Sequence, residues 1–134
     1  MFRRTFIAAA LFAVAGSALA QSASNLTGAW QGGYFSDDGK DVNTLTINLV
    51  QSGSRLSGGM VELNSIGNAD KNLFLTSNLE GTVIGRNVVL VKTYDGSGGV
   101  THSVRYSGTV SANGRTIRGT FDAGGATGAF EFAR

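Results

Sequence analysis

Beyond residue 20, apolar residues alternate with polar ones, and helical spacing is absent. One five-residue phrase punctuates the alternation: apolar, polar, Gly, small, apolar. It occurs at Leu26–Trp30, Leu56–Met60, Leu79–Val83, Tyr106–Val110, Ile117–Phe121 and Ala126–Phe130. In a strand, residues i, i+2 and i+4 share one face. Each phrase therefore sets two apolar side chains and a glycine on one side of a sheet, with Thr, Ser, Glu or Arg on the other. A bare glycine among large inward residues suits a sheet that must bend sharply. The pattern predicts eight strands, at about 26–35, 43–51, 55–64, 72–83, 87–94, 101–111, 115–122 and 126–134. Short strands at this spacing indicate an all-β barrel or sandwich. The reading adopted is one antiparallel up-and-down β-barrel of about eight strands.

Turn chemistry sets registers. Asn113-Gly114 is a type I′ hairpin signal, and it places Val110 opposite Ile117, Gly108 opposite Gly119 and Tyr106 opposite Phe121. A four-residue loop from Asp122 to Gly125 would then put Gly119 opposite Gly128 and Ile117 opposite Phe130, making a row of three glycines across three strands. Ser52-Gly53-Ser54 turns Leu45, Ile47 and Leu49 inward. A turn across Ile84 to Asn87 sets Val83 opposite Val88, so that Val88, Leu90, Lys92 and Tyr94 face inward. The connections near 52–54, 84–87 and 112–115 are tight and share one end. Those near 36–42, 65–71, 95–100 and 122–125 are longer or glycine-rich and share the other. That second end is the expected mouth, and binding residues sit preferentially on such loops.

Inward polar residues collect at this end. Tyr34, Glu62, Lys92, Tyr94 and His102 all fall there, with Asp95 following directly. Two phenols, a carboxylate, an ammonium and an imidazole can orient a small polar ligand. They can also support acid–base chemistry, since His titrates near neutral pH. The same residues are equally a polar rim meeting water, with Glu62 and Lys92 a plain surface ion pair. At the opposite end, Trp30 and Arg134 share the inward face. If the first and last strands pair, the guanidinium lies across the indole.

Composition removes other classes. Arg3 and Arg4, the apolar run Phe6–Val14 and the small-x-small Ala18-Leu19-Ala20 form a signal peptide by pattern. Residues 1–20 are thus expected to be cleaved and 21–134 to be the barrel domain, periplasmic or secreted from a bacterium. The apolar run is too short for a membrane span. The chain's net charge of +2 resides in Arg3 and Arg4, so the remainder is balanced and nucleic acid is not an expected partner. Absence of Cys removes thiol catalysis, disulfides and Cys-ligated metal, and a single His leaves no transition-metal ligand set. The acidic stretch 37–41 lacks the spacing of a calcium loop. No cofactor and no metal are expected, and the balance is against an enzyme.

With these residues in place, the chain resembles the calycin superfamily of eight-stranded barrels. Gly28-Ala29-Trp30 matches the Gly-x-Trp of the lipocalin first strand, and Leu26 to Trp30 is similar to the avidin opening. Arg134, closing the last strand near that Trp, is similar to the calycin closed end. The resemblance implies the barrel and structural roles for Trp30 and Arg134. Three functions are carried forward. The first is non-catalytic binding of a small molecule at the long-loop end. The second is a protein-binding module or inhibitor of an extracytoplasmic enzyme, and the third is acid–base catalysis through His102, Glu62 and Tyr94.

Overall fold

A computed structural model describes residues 25–37, 42–63 and 73–134. The expected leader, 1–20, lies outside the described residues, as do most of the two connections read at 36–42 and 65–71. Eight strands follow in order: β1 (Gly28–Ser36), β2 (Val42–Ser52), β3 (Arg55–Leu63), β4 (Phe74–Ile84), β5 (Asn87–Tyr94), β6 (Ser103–Val110), β7 (Thr116–Ala123) and β8 (Ala126–Ala133). Each pairs antiparallel with the next, and β8 returns to β1, with Gln31 opposite Ala133 and Tyr34 opposite Phe130. The sheet is thus a closed up-and-down barrel without an exposed edge.

The alternation read from the sequence sorts the two faces. Leu45, Ile47 and Leu49 of β2, Leu56 and Met60 of β3, and Val88 and Leu90 of β5 are buried in the lumen. Gln31, Asn48, Glu80, Arg105 and Arg118 point out and are exposed. The apolar face is inside, the reverse of a barrel that faces lipid. No helix among the described residues is long and apolar enough to cross a membrane.

Two-residue turns close β2–β3, with Ser52 opposite Arg55, and β4–β5, with Ile84 opposite Asn87. The expected inward faces follow. The β6–β7 register is also as expected, with Val110 opposite Ile117 and Gly108 opposite Gly119. The turn itself is wider than a two-residue I′ hairpin. Gly114 N donates to Ser111 O at 2.9 Å, and Ser111 Oγ accepts from Thr116 N at 3.0 Å.

The β7–β8 register differs from the expectation by two residues. Gly124 (φ 67°) and Gly125 (φ 103°) both take positive φ and form the whole loop, so Ala123 pairs with Ala126. Asp122 is a strand residue whose carboxylate accepts from Gly125 N at 2.8 Å. Side-chain parity survives a two-residue shift, but the three-glycine row does not. Gly119 faces Phe130, and Phe121 faces Gly128. The aromatic rings cover the glycines instead. A Cβ on Gly108 would lie 2.8 Å from Phe130 Cζ, and one on Gly128 would lie 2.6 Å from Phe121 Cε2. A ring laid over a strand glycine restores the packing that the missing side chain forfeits.

The closed end is sealed around Trp30, which is buried and donates from Nε1 to Leu26 O at 2.9 Å. The Arg134 guanidinium sits 4.5 Å from the indole centroid, and its Nε donates to Gly114 O at 3.0 Å.

Candidate functional site

Polar residues enter the lumen where odd strands end and even strands begin. Tyr34 comes from β1, Asn43 from β2, Glu62 from β3, and Lys92 and Tyr94 from β5. All five are buried, with Lys92 only 1% and Glu62 only 2% exposed. They lie on the inward face because they continue the apolar parity of their strands: Leu45–Asn43, Met60–Glu62 and Leu90–Lys92–Tyr94.

Glu62 is the hub. Its Oε1 accepts from Lys92 Nζ at 2.8 Å and from the Tyr94 hydroxyl at 2.9 Å. Its Oε2 accepts from Asn43 Nδ2 at 3.0 Å and from the Tyr34 hydroxyl at 3.2 Å. Four donors fill the lone-pair sites of a carboxylate. Lys92 Nζ also donates to the Tyr94 hydroxyl at 2.8 Å, which closes a triangle of ammonium, phenol and carboxylate. Lys92 stands 4.3 Å from the Tyr94 ring centroid, 5.5 Å from that of Tyr34 and 5.7 Å from that of Tyr106. Rings at these distances stabilise a desolvated cation.

Burial governs the titration of this group. It pulls the Lys92 ammonium below its ordinary value, against the charge and hydrogen bond of Glu62, which act to raise it. Burial pushes the Tyr94 phenol far up, and the charge and hydrogen bond of Glu62 add to the effect. Tyr106 is also pushed well up, first by burial and then by the Glu62 charge and Tyr34. Both phenols are therefore proton donors throughout the physiological range.

A cavity of about 230 Å³ opens above this network. Tyr34, Tyr94, Tyr106 and Phe121 form its aromatic wall, and Lys92 is among the lining residues. His102, Ser36, Val104, Ala123 and Ala126 complete the lining. An apolar cavity of about 150 Å³ holds benzene, so the space suits a molecule of one ring with a substituent. Four of the five residues read from the sequence line it: Tyr34, Lys92, Tyr94 and His102. Glu62 does not, and it acts on the cavity through Lys92 and Tyr94. His102 is exposed at the rim, with its ring 4.8 Å from that of Tyr94.

The connection from β5 to β6 is tied to β4, and at its two ends Tyr94 N donates to His102 O at 3.1 Å. Asp95 accepts a hydrogen bond from Thr76 Oγ1 and, at 3.0 Å, from Ser97 N. Ser97 Oγ accepts from Thr76 N at 2.9 Å, and Ser97–Gly99 form a 3-10 turn. The glycine-rich stretch is thus a hydrogen-bonded turn. The bonds from Thr76 and then from Ser97 hold the Asp95 carboxyl below the usual range.

Sequence reasoning missed Asn43 and Ser77. Parity was the available signal for both, since Asn43 continues Leu45 and Ile47, and Ser77 lies between Leu75 and Leu79. Ser77 Oγ is buried and has no hydrogen-bond partner among the described residues. No group of three potential metal ligands is present among the described residues.

No protein-family model matches the chain, and no curated protein sequence does. Similar solved structures include two small barrels. A redesigned beta barrel superposes with a TM-score of 0.69 over 88% of this chain and 98% of its own, at 16% identity. A de novo designed fluorescence-activating beta barrel superposes with a TM-score of 0.59 over 81% of this chain and 92% of its own, at 15% identity. Each is a small β-barrel, and the likeness is one of fold.

Proposed function

We propose that this chain is an exported, calycin-like β-barrel that binds a small molecule in its open end. The observation carrying the reading is the cavity of about 230 Å³ walled by aromatic rings beside a buried polar network centred on Glu62. Apolar walls with a few fixed polar groups are the common form of a ligand pocket. Lys92 and Glu62 cancel in charge, so the occupant is neutral overall, with a ring for the tyrosines and one polar atom near Lys92. That one similar structure is a fluorescence-activating barrel supports the reading by analogy of fold. The signal-peptide pattern of residues 1–20 supports export to the periplasm or medium.

Native mass spectrometry of the purified protein tests the proposal. The expected result is a co-purifying small molecule that is lost in Ala123→Leu, where a larger side chain intrudes on the cavity. Retention of the same molecule in a folded Ala123→Leu protein would place the site elsewhere.

A second reading is a protein-binding module, favoured by apolar residues on the outer wall near the mouth. Phe35, Leu63, Leu73 and Phe74 are each about half exposed or more. A stoichiometric extracytoplasmic partner whose capture fails with Leu63→Ser/Phe74→Ser would favour it over the first.

A further inference from the structure

We propose that Lys92 is a carbonyl-capturing residue: its amine condenses reversibly with a small aromatic aldehyde in the cavity, giving a protonated imine with Glu62 as counter-ion. This rests on the ligand-binding reading above and specifies its ligand class.

Four observations converge. Lys92 is on the cavity lining and is the one lysine among the described residues. Its Nζ uses two of its three donor positions, on Glu62 Oε1 and the Tyr94 hydroxyl. The third makes no hydrogen bond among the described residues. The Nζ is enclosed by three tyrosine rings that favour a delocalised cation. Finally, a buried ion pair is a poor source of stability, because apolar replacements of similar volume often do as well. An ion pair buried against a cavity therefore points to a use of its charge.

The chemistry balances. Glu62 takes one proton from the ammonium across 2.8 Å, and rotation about Cε–Nζ turns the freed lone pair to the cavity. The amine nitrogen bonds to the carbonyl carbon as the C=O π bond opens, and one of the two nitrogen protons passes to the oxygen, giving a neutral carbinolamine. Tyr94, 2.8 Å from Nζ and 2.9 Å from Oε1, relays the proton from Glu62 to the carbinolamine hydroxyl. Water leaves, and the C=N bond forms. The product is an iminium beside a carboxylate, the same charge pair as before, so the hub keeps its electrostatics. Desolvation of a lysine in an apolar pocket is a recognised route to an amine nucleophile. The other titratable groups facing Lys92 are Tyr34 and Tyr106, both phenols, and His102 stands at the rim.

The test uses the purified chain with benzaldehyde and sodium cyanoborohydride at neutral pH, read by intact mass and peptide mapping. One benzyl group on Lys92 is expected, ahead of Lys40, Lys71 and the terminal amine. Lys92→Arg, which keeps the cation but cannot condense, should lose the adduct. Benzyl alcohol, which fills the cavity without a carbonyl, should protect Lys92 in the unaltered protein, so the test does not depend on a variant folding. Adducts spread over all amines, or a Lys92 adduct indifferent to benzyl alcohol, would overturn the proposal. Tyrosine-ring NMR shifts on adding benzaldehyde, with no Lys92 adduct, would overturn imine formation and leave the ligand-binding reading standing. No shift with either probe would overturn both.

Discussion

Glu62→Gln and Lys92→Met test the buried hub through a double-mutant cycle. At 2.8 Å and an effective dielectric of about 20, the two charges attract by about 6 kcal/mol. Removing each from water costs several kcal/mol, so the intact pair contributes little net stability. Losing one partner is different, because the other stays buried and uncompensated. Each single substitution should cost about 3–5 kcal/mol, a large share of the roughly 5–15 kcal/mol typical of a domain. The double variant buries no charge, and the Gln amide oxygen still accepts from Tyr94 or Asn43. It should lose only about 1–2 kcal/mol, the cost of imperfect hydrogen bonding. Urea unfolding followed by the fluorescence of Trp30, the single tryptophan, measures all four corners. The pH dependence adds a sign. In Glu62→Gln, Lys92 keeps the burial that lowers it and loses the carboxylate that raises it. The unfolded chain then binds the extra proton between the lowered folded value and the ordinary one near 10.5. Stability therefore rises with pH across that window, and the Glu62→Gln deficit should shrink as pH increases from 7 to 10. Singles that cost less than about 1 kcal/mol, or that add to the double within about 0.5 kcal/mol, would refute the buried hub.

Other predictions concern the wall and the closed end. Tyr94 and Tyr106 are two of three tyrosines, and both are raised. Their stabilisation is complete below the unfolded value near 10 and is lost as pH rises above it, by about 1.4 kcal/mol per unit for each phenol. Absorbance titration at alkaline pH should show both ionising only as the barrel unfolds, and free ionisation in folded protein would contradict their burial. Gly119→Val would drive its Cβ into the Ser107 carbonyl oxygen and to 2.5 Å from Gly108 Cα. The cost should reach or pass the usual overpacking range of about 1–3 kcal/mol, and an unchanged melting temperature would sink the close approach of β6 and β7. Arg134→Ala should cost about 1 kcal/mol from the lost cation–π contact and alter Trp30 emission, whereas unchanged emission would separate the two groups.

Parity was legible from the first reading, because alternation has a period of two and a closed barrel has one apolar face. It carried Tyr34, Glu62, Lys92 and Tyr94 to the inside of the mouth end. The same parity places Asn43 and Ser77 inward, where both are buried. The β7–β8 register was not legible. Asp122-Ala123-Gly124-Gly125 reads equally as a four-residue loop or as a two-residue turn closing a longer strand. Only the packing of Phe130 and Phe121 over glycines selects the second, since it fills space that a glycine row leaves empty.

Local chemistry alone thus determined eight strands, their inward faces, and the gathering of five polar residues at one end. Those follow from side-chain alternation and turn residues, which act over a few positions. Tertiary structure decided what the polar residues do to each other. Glu62 and Lys92 lie on strands separated by β4 and meet only because the closed sheet brings their inward ends together. Closure converted an apparent rim ion pair into a buried, four-donor hub, because the lumen shields both charges from water and surrounds them with inward phenols and an amide. It also set Glu62 apart from the cavity wall and left Lys92 within it.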